Sequence, residues 1–163
     1  MNGIIEKIRA DLRLFADEKT RLQGERFFKE DIKLYGLKAA RVTELAKTYF
    51  KLIPERSKKK VFELCEELWR SGYAEEGFIA CEWSYSVRKE YVRDDFAVFG
   101  RWVHKYITNW ATCDTLCNHT VGTFIEMYPE FISDLKKWAH SDNRWVKRAS
   151  AVSFIVPARK ECS

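Results

Sequence analysis

Apolar residues recur at helical spacing along the whole chain, and no stretch alternates as a β-strand does. The clearest stripes are Ile4, Ile8, Leu12 and Phe15; Val42, Leu45, Ala46 and Tyr49; and Val61, Cys65, Leu68 and Trp69. The periodicity continues through residues 78–87, 96–106, 116–128, 131–138 and 145–155. Turn-forming residues separate the stripes at Tyr35-Gly36, Ile53-Pro54, Ser71-Gly72, Tyr128-Pro129, Ser141-Asp142-Asn143 and Pro157. The pattern predicts about nine or ten short helices with short connections.

The spacing of two landmarks indicates that these helices stack in pairs. Trp110 and Trp145 are 35 residues apart, and Asp114 and Arg148 are 34 residues apart. Both separations are close to the length of one helix-pair repeat in a solenoid, where equivalent positions line up on one face. We therefore expect Trp110, Asp114 and Arg148 to meet in space. The sequence predicts an all-α fold over residues 1–163 as a single helical-repeat domain.

The composition is that of a folded protein in a reducing compartment. Hydrophobic residues make up 46% of the chain and aromatic residues 15%, which argues against disorder. No apolar run is long enough to span a membrane, and the start, MNGIIEKIRADLRLF, reads as an amphipathic helix rather than a signal peptide. Five cysteines are an odd number and lack the dense spacing of a disulfide scaffold. We expect a cytoplasmic protein without membrane contact.

Basic residues are bunched, although the net charge of +5 is mild. One cluster is Arg56, Lys58, Lys59 and Lys60, and the other is Arg144, Lys147, Arg148, Arg159 and Lys160. No acidic residue lies between positions 144 and 160. Such clustering is typical of proteins that bind a polyanion, with nucleic acid the first candidate. Solvated helix faces explain the clusters equally well on charge alone.

Cys113, Cys117 and His119 are candidate metal ligands by residue type and proximity in the sequence. A structural zinc site needs four donors, and the second pair is missing because His104 and His140 stand alone in the sequence. Free cysteines on helices are usually small buried hydrophobic residues. We therefore expect neither a metal nor another cofactor.

The stretch NWATCDTLC, residues 109–117, places an indole and a carboxylate on one helix face. Trp110 and Asp114 are four residues apart, and neither belongs to the apolar stripe that follows them. In a purely structural interpretation, Asp114 caps a helix that begins near Thr115 and Trp110 is a core aromatic residue.

Three blocks together carry a family resemblance: YGLKAARV (35–42), ITNWATCDTLC (107–117) and SDNRWVKRASAVSFIVPARK (141–160). They resemble the HEAT-like-repeat DNA alkylation repair glycosylases, the AlkD family. In that family the patterns NWxxxD and DNxWxxRxxxV lie in adjacent repeats that line a basic, concave DNA-binding groove. The resemblance runs in order from about Phe27 to Lys160, and it implies a HEAT-like solenoid that binds duplex DNA.

The resemblance also implies roles for individual residues. Asp114 matches the catalytic aspartate, Trp110 the tryptophan on the lesion side, and Arg148 the arginine that holds DNA beside them. The other residues expected to face DNA are Phe27, Arg144, Trp145 and Lys147. Phe27 stands where relatives can carry a tyrosine, and Thr43 stands where a basic residue is expected.

Relatives continue after VPARK into further helical repeats, so we expect this chain to lack the C-terminal repeats of the family. The last predicted helix, Trp145–Ile155, is apolar around much of its circumference. In a solenoid each repeat is stabilised by its neighbours, and a terminal repeat needs a polar outer face. We therefore expect either self-association through this helix or a frayed end.

The implied function is hydrolysis of the N-glycosidic bond of cationic N3- or N7-alkylated purines in double-stranded DNA, without metal or cofactor. The enzyme is expected in the cytoplasm, associated with the nucleoid when it binds DNA. Two alternatives stay open: a non-catalytic binder of damaged or distorted DNA, and a helical-repeat scaffold for a protein partner. Release of free base separates the enzyme from the binder, and salt-dependent binding of alkylated duplex separates both from the scaffold.

Overall fold

A computed structural model of the chain describes residues 3–162, with side chains described for residues 3–160. Within that range the chain folds into α-helices joined by short connections, and the one β-type contact is an isolated bridge between Lys33 and Tyr73. The predicted all-α class is confirmed. The chain divides into two compact units, Met1–Val87 and Arg88–Ser163. None of the described helices has the length and apolar character needed to cross a membrane.

Unit 1 contains five helices within its described residues. They are α1 (Gly3–Phe15), α2 (Glu18–Phe27), α3 (Ala39–Lys51), α4 (Lys58–Arg70) and α5 (Ala74–Ser86). Helix α5 packs against both α3 and α4, while α1 packs against the same two helices. Helix α2 has no buried residue, so the core of unit 1 is built by the other four helices.

The core of unit 1 follows most of the predicted stripes. Val61, Cys65, Leu68 and Trp69 of α4 are all buried, as the helical spacing predicted. Trp83 of α5 is fully buried, and its indole Nε1 donates a hydrogen bond of 2.8 Å to the carbonyl oxygen of a residue in α3. The bond satisfies the polar atom of a side chain that is otherwise packed in apolar surroundings.

The buried face of α1 differs by one position from the predicted stripe. Ile8 and Leu12 are fully buried as expected, but Ile5 rather than Ile4 completes the face. Residues 5, 8 and 12 have the i, i+3, i+7 spacing of one helical face, and helices α3 and α4 cover that face. Phe15, the last residue of α1, remains 39% exposed.

Two buried carboxylates fix the non-helical segment between α2 and α3. The Glu75 carboxylate accepts hydrogen bonds from the backbone N–H groups of residues 35–37, at 3.1, 2.9 and 3.3 Å. Glu76 accepts bonds from the Tyr35 hydroxyl at 2.7 Å and from Arg9 Nε at 3.0 Å. Burial, together with the hydrogen bond to Glu76, raises the pKa of Tyr35 well above its usual value. The YGLK block is therefore held by its acidic partners on α5.

Gly36 lets this segment pass close to the start of α2. Its φ of +100° lies in the left-handed region, and an added Cβ would come within 2.5 Å of the Asp17 carbonyl oxygen. The Asp17 N–H donates to the Gly36 carbonyl at 2.9 Å, and the Asp17 carboxylate caps α2 by accepting from the Thr20 N–H at 2.8 Å. These contacts anchor the helix that ends at Phe27.

Unit 2 contains six further α-helices within its described residues. They are α6 (Asp95–Lys105), α7 (Trp110–Leu116), α8 (Gly122–Met127), α9 (Ile132–Lys137), α10 (Arg144–Val152) and α11 (Ile155–Cys162). Short 3-10 turns lie at Arg88–Glu90, Pro129–Phe131 and Trp138–His140, and a π-helical turn, Cys117–Val121, joins α7 directly to α8. Helices α6, α8, α9 and α10 lie where the periodicity at residues 96–106, 116–128, 131–138 and 145–155 predicted helices. Helix α7 begins before the predicted stripe at 116–128.

Aromatic rings fill the core of unit 2. Phe96 stacks on Phe131 and Trp138, with ring centroids 4.9 and 5.3 Å apart. Phe99 packs edge-on against Phe124 at 5.8 Å, and both rings are fully buried. Such pairs contribute about 0.5–1.5 kcal/mol beyond the burial of their area. Helix α10 packs against α6, α7 and the turn that contains Trp138, so this core fixes its position.

The chain remains helical beyond Pro157, which corrects the predicted end of the last helix. The sequence predicted one helix over Trp145–Ile155, but α10 ends at Val152 and α11 begins at Ile155 with Pro157 in its first turn. Proline is tolerated there because the N–H groups of a first turn have no acceptor within the helix. The apolar face of α10 is buried inside unit 2. Self-association through this region stays a prediction.

Several long-range hydrogen bonds within each unit join residues that are separated by a similar number of positions in the sequence. The bonded pairs are Ala46–Trp83 and Asp11–Tyr49 in unit 1, and Tyr91–Tyr128, Asp114–Arg148 and Glu126–Lys160 in unit 2. The partners are 34 to 38 residues apart. A constant separation of this size is expected when similar helix pairs stack. Each unit therefore has the repeat-like arrangement that the sequence spacing predicted.

Candidate functional site

Helix α7 begins at Trp110 because Asn109 caps it. The buried Asn109 side chain accepts a hydrogen bond of 2.9 Å from the Thr112 N–H, and its backbone is extended, as an N-cap requires. Asp114 therefore lies in the middle of α7 and caps nothing. This geometry excludes the interpretation in which Asp114 caps a helix that begins near Thr115.

Trp110 lies one turn before Asp114, so the two side chains share a face of α7. Trp110 is only partly buried, whereas Trp102 of the neighbouring helix α6 is fully enclosed in the core. Trp110 is therefore less enclosed than Trp102, and it lies on the same helix face as the Asp114 carboxylate. Trp110 and Asp114 form one side of the candidate site.

Helix α10 supplies the other side, and Asn143 fixes where it begins. The Asn143 Oδ1 accepts hydrogen bonds from the N–H groups of Trp145 at 2.9 Å and Val146 at 3.3 Å. Its Nδ2 donates to the carbonyl oxygen of His104, at the end of α6, over 3.5 Å. The cap therefore attaches the first turn of α10 to α6 and sets the position of the basic residues that follow.

Arg148 and Asp114 join α10 to α7 through a bidentate ion pair. Arg148 Nε donates to Asp114 Oδ1 at 2.6 Å, and Nη2 donates to Oδ2 at 2.7 Å. The Arg148 side chain is 44% exposed and that of Asp114 is 26% exposed. The hydrogen bonds to Asp114 raise the pKa of Arg148, against the smaller opposite effect of burial. The structure thus brings together the two residues that the 34-residue spacing predicted would meet.

The ion pair leaves Arg148 with unused hydrogen-bond donors. A guanidinium has five N–H donors, and the pair with Asp114 uses the one on Nε and one of the two on Nη2. Both N–H groups of Nη1 have no acceptor among the described residues, on a side chain that is nearly half exposed. A phosphate can therefore bind the outer edge of the guanidinium while Asp114 holds its inner edge.

The remaining predicted residues of α10 lie at its exposed N-terminal half. The Arg144 guanidinium stacks over the Trp145 ring, with Cζ 4.4 Å from the ring centroid. Arg144 and Lys147 are exposed, and Trp145 is partly exposed. The stack restricts the long Arg144 side chain to one face of the indole, so a cation is held in place beside the start of the helix.

Cys113 and Cys117 lie in the core behind this surface. Both side chains are fully buried, and the Cys113 thiol donates to the Trp145 carbonyl oxygen at 3.5 Å. Their burial matches the expectation that they act as small hydrophobic residues. Among the side chains that the structure describes, no three His, Cys, Asp or Glu residues form a metal-binding group.

Phe27 belongs to unit 1 and ends α2. Its side chain is 68% exposed and meets the Phe28 ring edge-on, with centroids 5.4 Å apart. An aromatic ring is therefore presented to solvent at the position where the family resemblance predicts contact with DNA. Thr43, on the neighbouring helix α3, is exposed as well.

Sequence reasoning did not assign roles to the two asparagines that position the site. Asn109 and Asn143 each stand directly before a helical stretch, which is the usual signal of an N-cap residue. That signal was present and would have placed Asp114 inside a helix. The π-helical turn Cys117–Val121, which follows α7, had no comparable signal in the sequence.

A match to a known protein family spans both units. The family model described as DNA alkylation repair enzyme matches residues 8–162. No curated protein matches the chain. The matched range contains every residue of the candidate site, including Asp114 and Arg148.

Proposed function

Because this chain belongs to the DNA alkylation repair enzyme family, we propose that it is a DNA glycosylase that removes alkylated purines from duplex DNA. The bond that breaks is the N-glycosidic bond of a purine made cationic by alkylation at N3 or N7. The observation that carries the proposal is the bidentate pair of Asp114 and Arg148, which presents a fixed carboxylate and unused guanidinium donors at one exposed surface.

The reaction needs little help at the leaving group. The electron pair of the C1′–N bond returns to the cationic base, which departs neutral, and water supplies the new oxygen at C1′ and loses a proton. The protein has to stabilise the positive charge that develops on the sugar. One carboxylate at about 4 Å with an effective dielectric near 20 supplies about 4 kcal/mol, or at most roughly 10³ in rate. Asp114 is the residue assigned to this task.

Arg148 opposes the charge of Asp114 in the free protein, and DNA changes that balance. When a phosphate binds the free edge of Arg148, one guanidinium is shared by two anions. The three groups together carry a net charge of −1, which balances the cationic sugar or lesion. Binding of the phosphate and stabilisation of the cation are therefore linked through Arg148, because its fork holds both anions.

Trp110 contributes an aromatic face beside the carboxylate. An indole attracts a cation by roughly 0.5–2 kcal/mol, depending on how much water is excluded. Neutral, undamaged purines gain no such attraction. Trp110 and Asp114 therefore favour the same substrate class, since both prefer a positive charge on the base or the sugar.

Backbone contacts are assigned to the basic start of α10. Arg144, held on Trp145, and the exposed Lys147 can bind phosphates on either side of Arg148. In unit 1, Phe27 is assigned to contact with DNA through its exposed ring. These residues fix the register of the duplex and carry no information about base sequence.

A non-catalytic binder of damaged DNA is the second candidate, and one observation favours it. Both carboxylate oxygens of Asp114 are engaged by Arg148 in the free protein, which leaves no oxygen dedicated to water or to the sugar. In that case the ion pair would only position Arg148 for a phosphate.

The experiment that separates these candidates is incubation of the protein with duplex DNA methylated at N3 and N7 of purines. We expect free methylated base to appear in the supernatant and abasic sites to remain in the duplex. Tight binding of the methylated duplex without released base would make the protein a binder. Absence of salt-dependent DNA binding would contradict both candidates and favour a scaffold for a protein partner.

A further inference from the structure

One segment of unit 1 has a higher net positive charge than the entire chain. Residues 38–60 contain eight basic residues and two acidic ones, a net charge of +6, whereas the whole protein has a net charge of +5. The other 140 residues together therefore carry −1. Residues 144–160 of unit 2 carry +5 by the same count, so this segment of unit 1 is a second basic region, separate from the helices of unit 2.

The structure concentrates this charge where α3 ends and α4 begins. Lys47 and Lys51 are one turn apart at the end of α3, and α4 starts with Lys58, Lys59 and Lys60. The Arg56 guanidinium lies 5.8 Å from the centroid of a ring in the last turn of α3, that of Phe50, so the connection folds against that helix end. We call the set Lys47, Lys51, Arg56, Lys59 and Lys60 the basic corner.

Within the described part of unit 1, the lysines of the basic corner are not paired with carboxylates. Among the side chains described in unit 1, Arg9 pairs with Glu76 and Arg21 with Glu25, but no carboxylate lies within ion-pair distance of these four lysines. Lys47, Lys51 and Lys59 are exposed, and Lys60 is partly exposed. Their charge is therefore directed to solvent or to a partner.

The position of Lys59 and Lys60 is unfavourable for the helix that carries them. The first turn of a helix has a partial positive charge, which favours acidic side chains and disfavours basic ones. Ser57 caps α4 by accepting from the Lys60 N–H at 3.2 Å, and a glutamate or glutamine at position 60 would complete the reciprocal capping arrangement. The sequence has lysine there instead, so the position does not serve the stability of α4.

We propose that the basic corner binds the phosphate backbone of duplex DNA, without regard to sequence or alkylation. Lysine ammonium groups on flexible stems contact phosphates as point charges and do not read bases. The chain belongs to a DNA alkylation repair enzyme family, so we take DNA as the polyanion that this surface binds. This goes beyond the proposed glycosylase activity, because it concerns undamaged DNA and residues of unit 1 only.

Such a surface supplies non-specific affinity that depends steeply on salt. Each phosphate neutralised by a lysine releases condensed counterions, so the logarithm of affinity falls with the logarithm of salt by about 0.9 per contact. The basic corner therefore lets the protein stay on undamaged duplex between lesions. Its contribution is measurable on DNA that contains no alkylated base.

The test replaces two lysines in the first turn of α4 and compares the DNA affinity of that variant with the affinity of a control in which two lysines outside the basic corner are replaced. The variant is Lys59→Gln with Lys60→Gln, and the matched control is Lys7→Gln with Lys89→Gln, which removes the same charge from exposed positions outside the basic corner. Affinity for an undamaged duplex is measured at several salt concentrations. Melting temperatures of both variants are recorded in the same buffers.

We expect the basic-corner variant to bind roughly 10- to 100-fold more weakly near 0.1 M salt, with a salt slope reduced by about two phosphate contacts. The control should lose much less. The melting temperature of the basic-corner variant should be equal to or higher than that of the wild type, because glutamine completes the cap of α4. A second variant, Lys47→Gln with Lys51→Gln, should weaken binding in the same way and tests the surface on α3 independently.

An unchanged salt slope in both basic-corner variants would overturn the proposal, and so would an equal loss in the control. Loss of binding to vesicles rich in phosphatidylserine with DNA binding intact would show that the partner is a membrane, which also contradicts it. Base release is measured separately with methylated duplex at saturating protein. Its absence in the wild type would overturn the glycosylase and leave this proposal standing.

Discussion

Asp114 and Arg148, 34 residues apart in the sequence, hold each other through two parallel hydrogen bonds of 2.6 and 2.7 Å. The contact joins helices α7 and α10. An asparagine caps the first turn of each of these helices. One residue is the candidate catalytic group and the other the candidate phosphate-binding group. A change in either one is therefore expected to affect both binding and chemistry.

Replacing Arg148 should weaken DNA binding far more than it changes stability. The pair is partly exposed, so its loss is expected to cost about 0–1 kcal/mol of unfolding free energy. Arg148→Ala should reduce the salt slope of duplex binding by about one phosphate contact. Arg148→Lys keeps the charge, so its salt slope should equal that of the wild type. Lysine cannot form the bidentate fork, so this variant should release base more slowly than the wild type.

These effects are measured by duplex titrations at several salt concentrations and by release of methylated base. If Arg148→Lys released base as fast as the wild type, the fork geometry would have no role in the reaction. If Arg148→Ala left the salt slope unchanged, the guanidinium would not contact a phosphate.

Asn143 should be needed for the stability of α10 through its oxygen and not through its amide nitrogen. Asn143→Ala removes the acceptor for two backbone N–H groups and should destabilise the protein by about 0.5–2 kcal/mol. Asn143→Asp keeps the cap oxygen and loses only the 3.5 Å bond to His104, so it should stay close to the wild type. Denaturant unfolding of the two variants checks this difference, and equal destabilisation would contradict it.

Glu75 should be among the most sensitive positions of unit 1. In the wild type, three backbone N–H groups donate to the Glu75 carboxylate. Glu75→Gln replaces one of its oxygens with an N–H₂ group, so at least one buried donor loses its acceptor. The expected cost is about 1–3 kcal/mol of unfolding free energy. Glu25→Gln, at an exposed position of α2, is the matched control and should change stability by less than about 0.5 kcal/mol. Equal effects in denaturant unfolding would show that the buried carboxylate is dispensable.

The meeting of Asp114 with Arg148 could be predicted because repeat proteins have a fixed period. When helix pairs of similar length stack, residues one repeat apart occupy equivalent positions, and a spacing of 34 residues becomes a distance in space. The helical segments were predictable for a related reason, since each helix buries one stripe of its surface. The capping interpretation of Asp114 failed because the asparagine signal at position 109 was not used.

Other features depend on tertiary contacts that leave no periodic signal. Glu75 and Glu76 stand in the first turn of a helix, where acidic residues are usually exposed, and only the fold of residues 28–38 makes them buried acceptors. The buried face of α1 includes Ile5 rather than Ile4 because α3 and α4 pack against that side of the helix. The helix that contains Pro157 could not be inferred from the proline itself, which breaks a helix interior but is accepted in a first turn.

The proposed mechanism depends most directly on the carboxylate of Asp114. Asp114→Asn keeps the shape and removes the negative charge, so the rate of base release should fall by up to roughly 10³. Duplex affinity should be equal or higher, because one negative charge near the phosphates is gone. Glu130→Gln is the matched control, since Glu130 forms a comparable long-range ion pair with Arg93 in the same unit.

The deciding measurement is the single-turnover rate of methylated-base release by wild type, Asp114→Asn and Glu130→Gln at saturating protein. The account predicts that only Asp114→Asn loses most of its rate while it still binds the duplex. Equal rates for Asp114→Asn and the wild type would remove Asp114 from the mechanism and contradict the proposed function of the site.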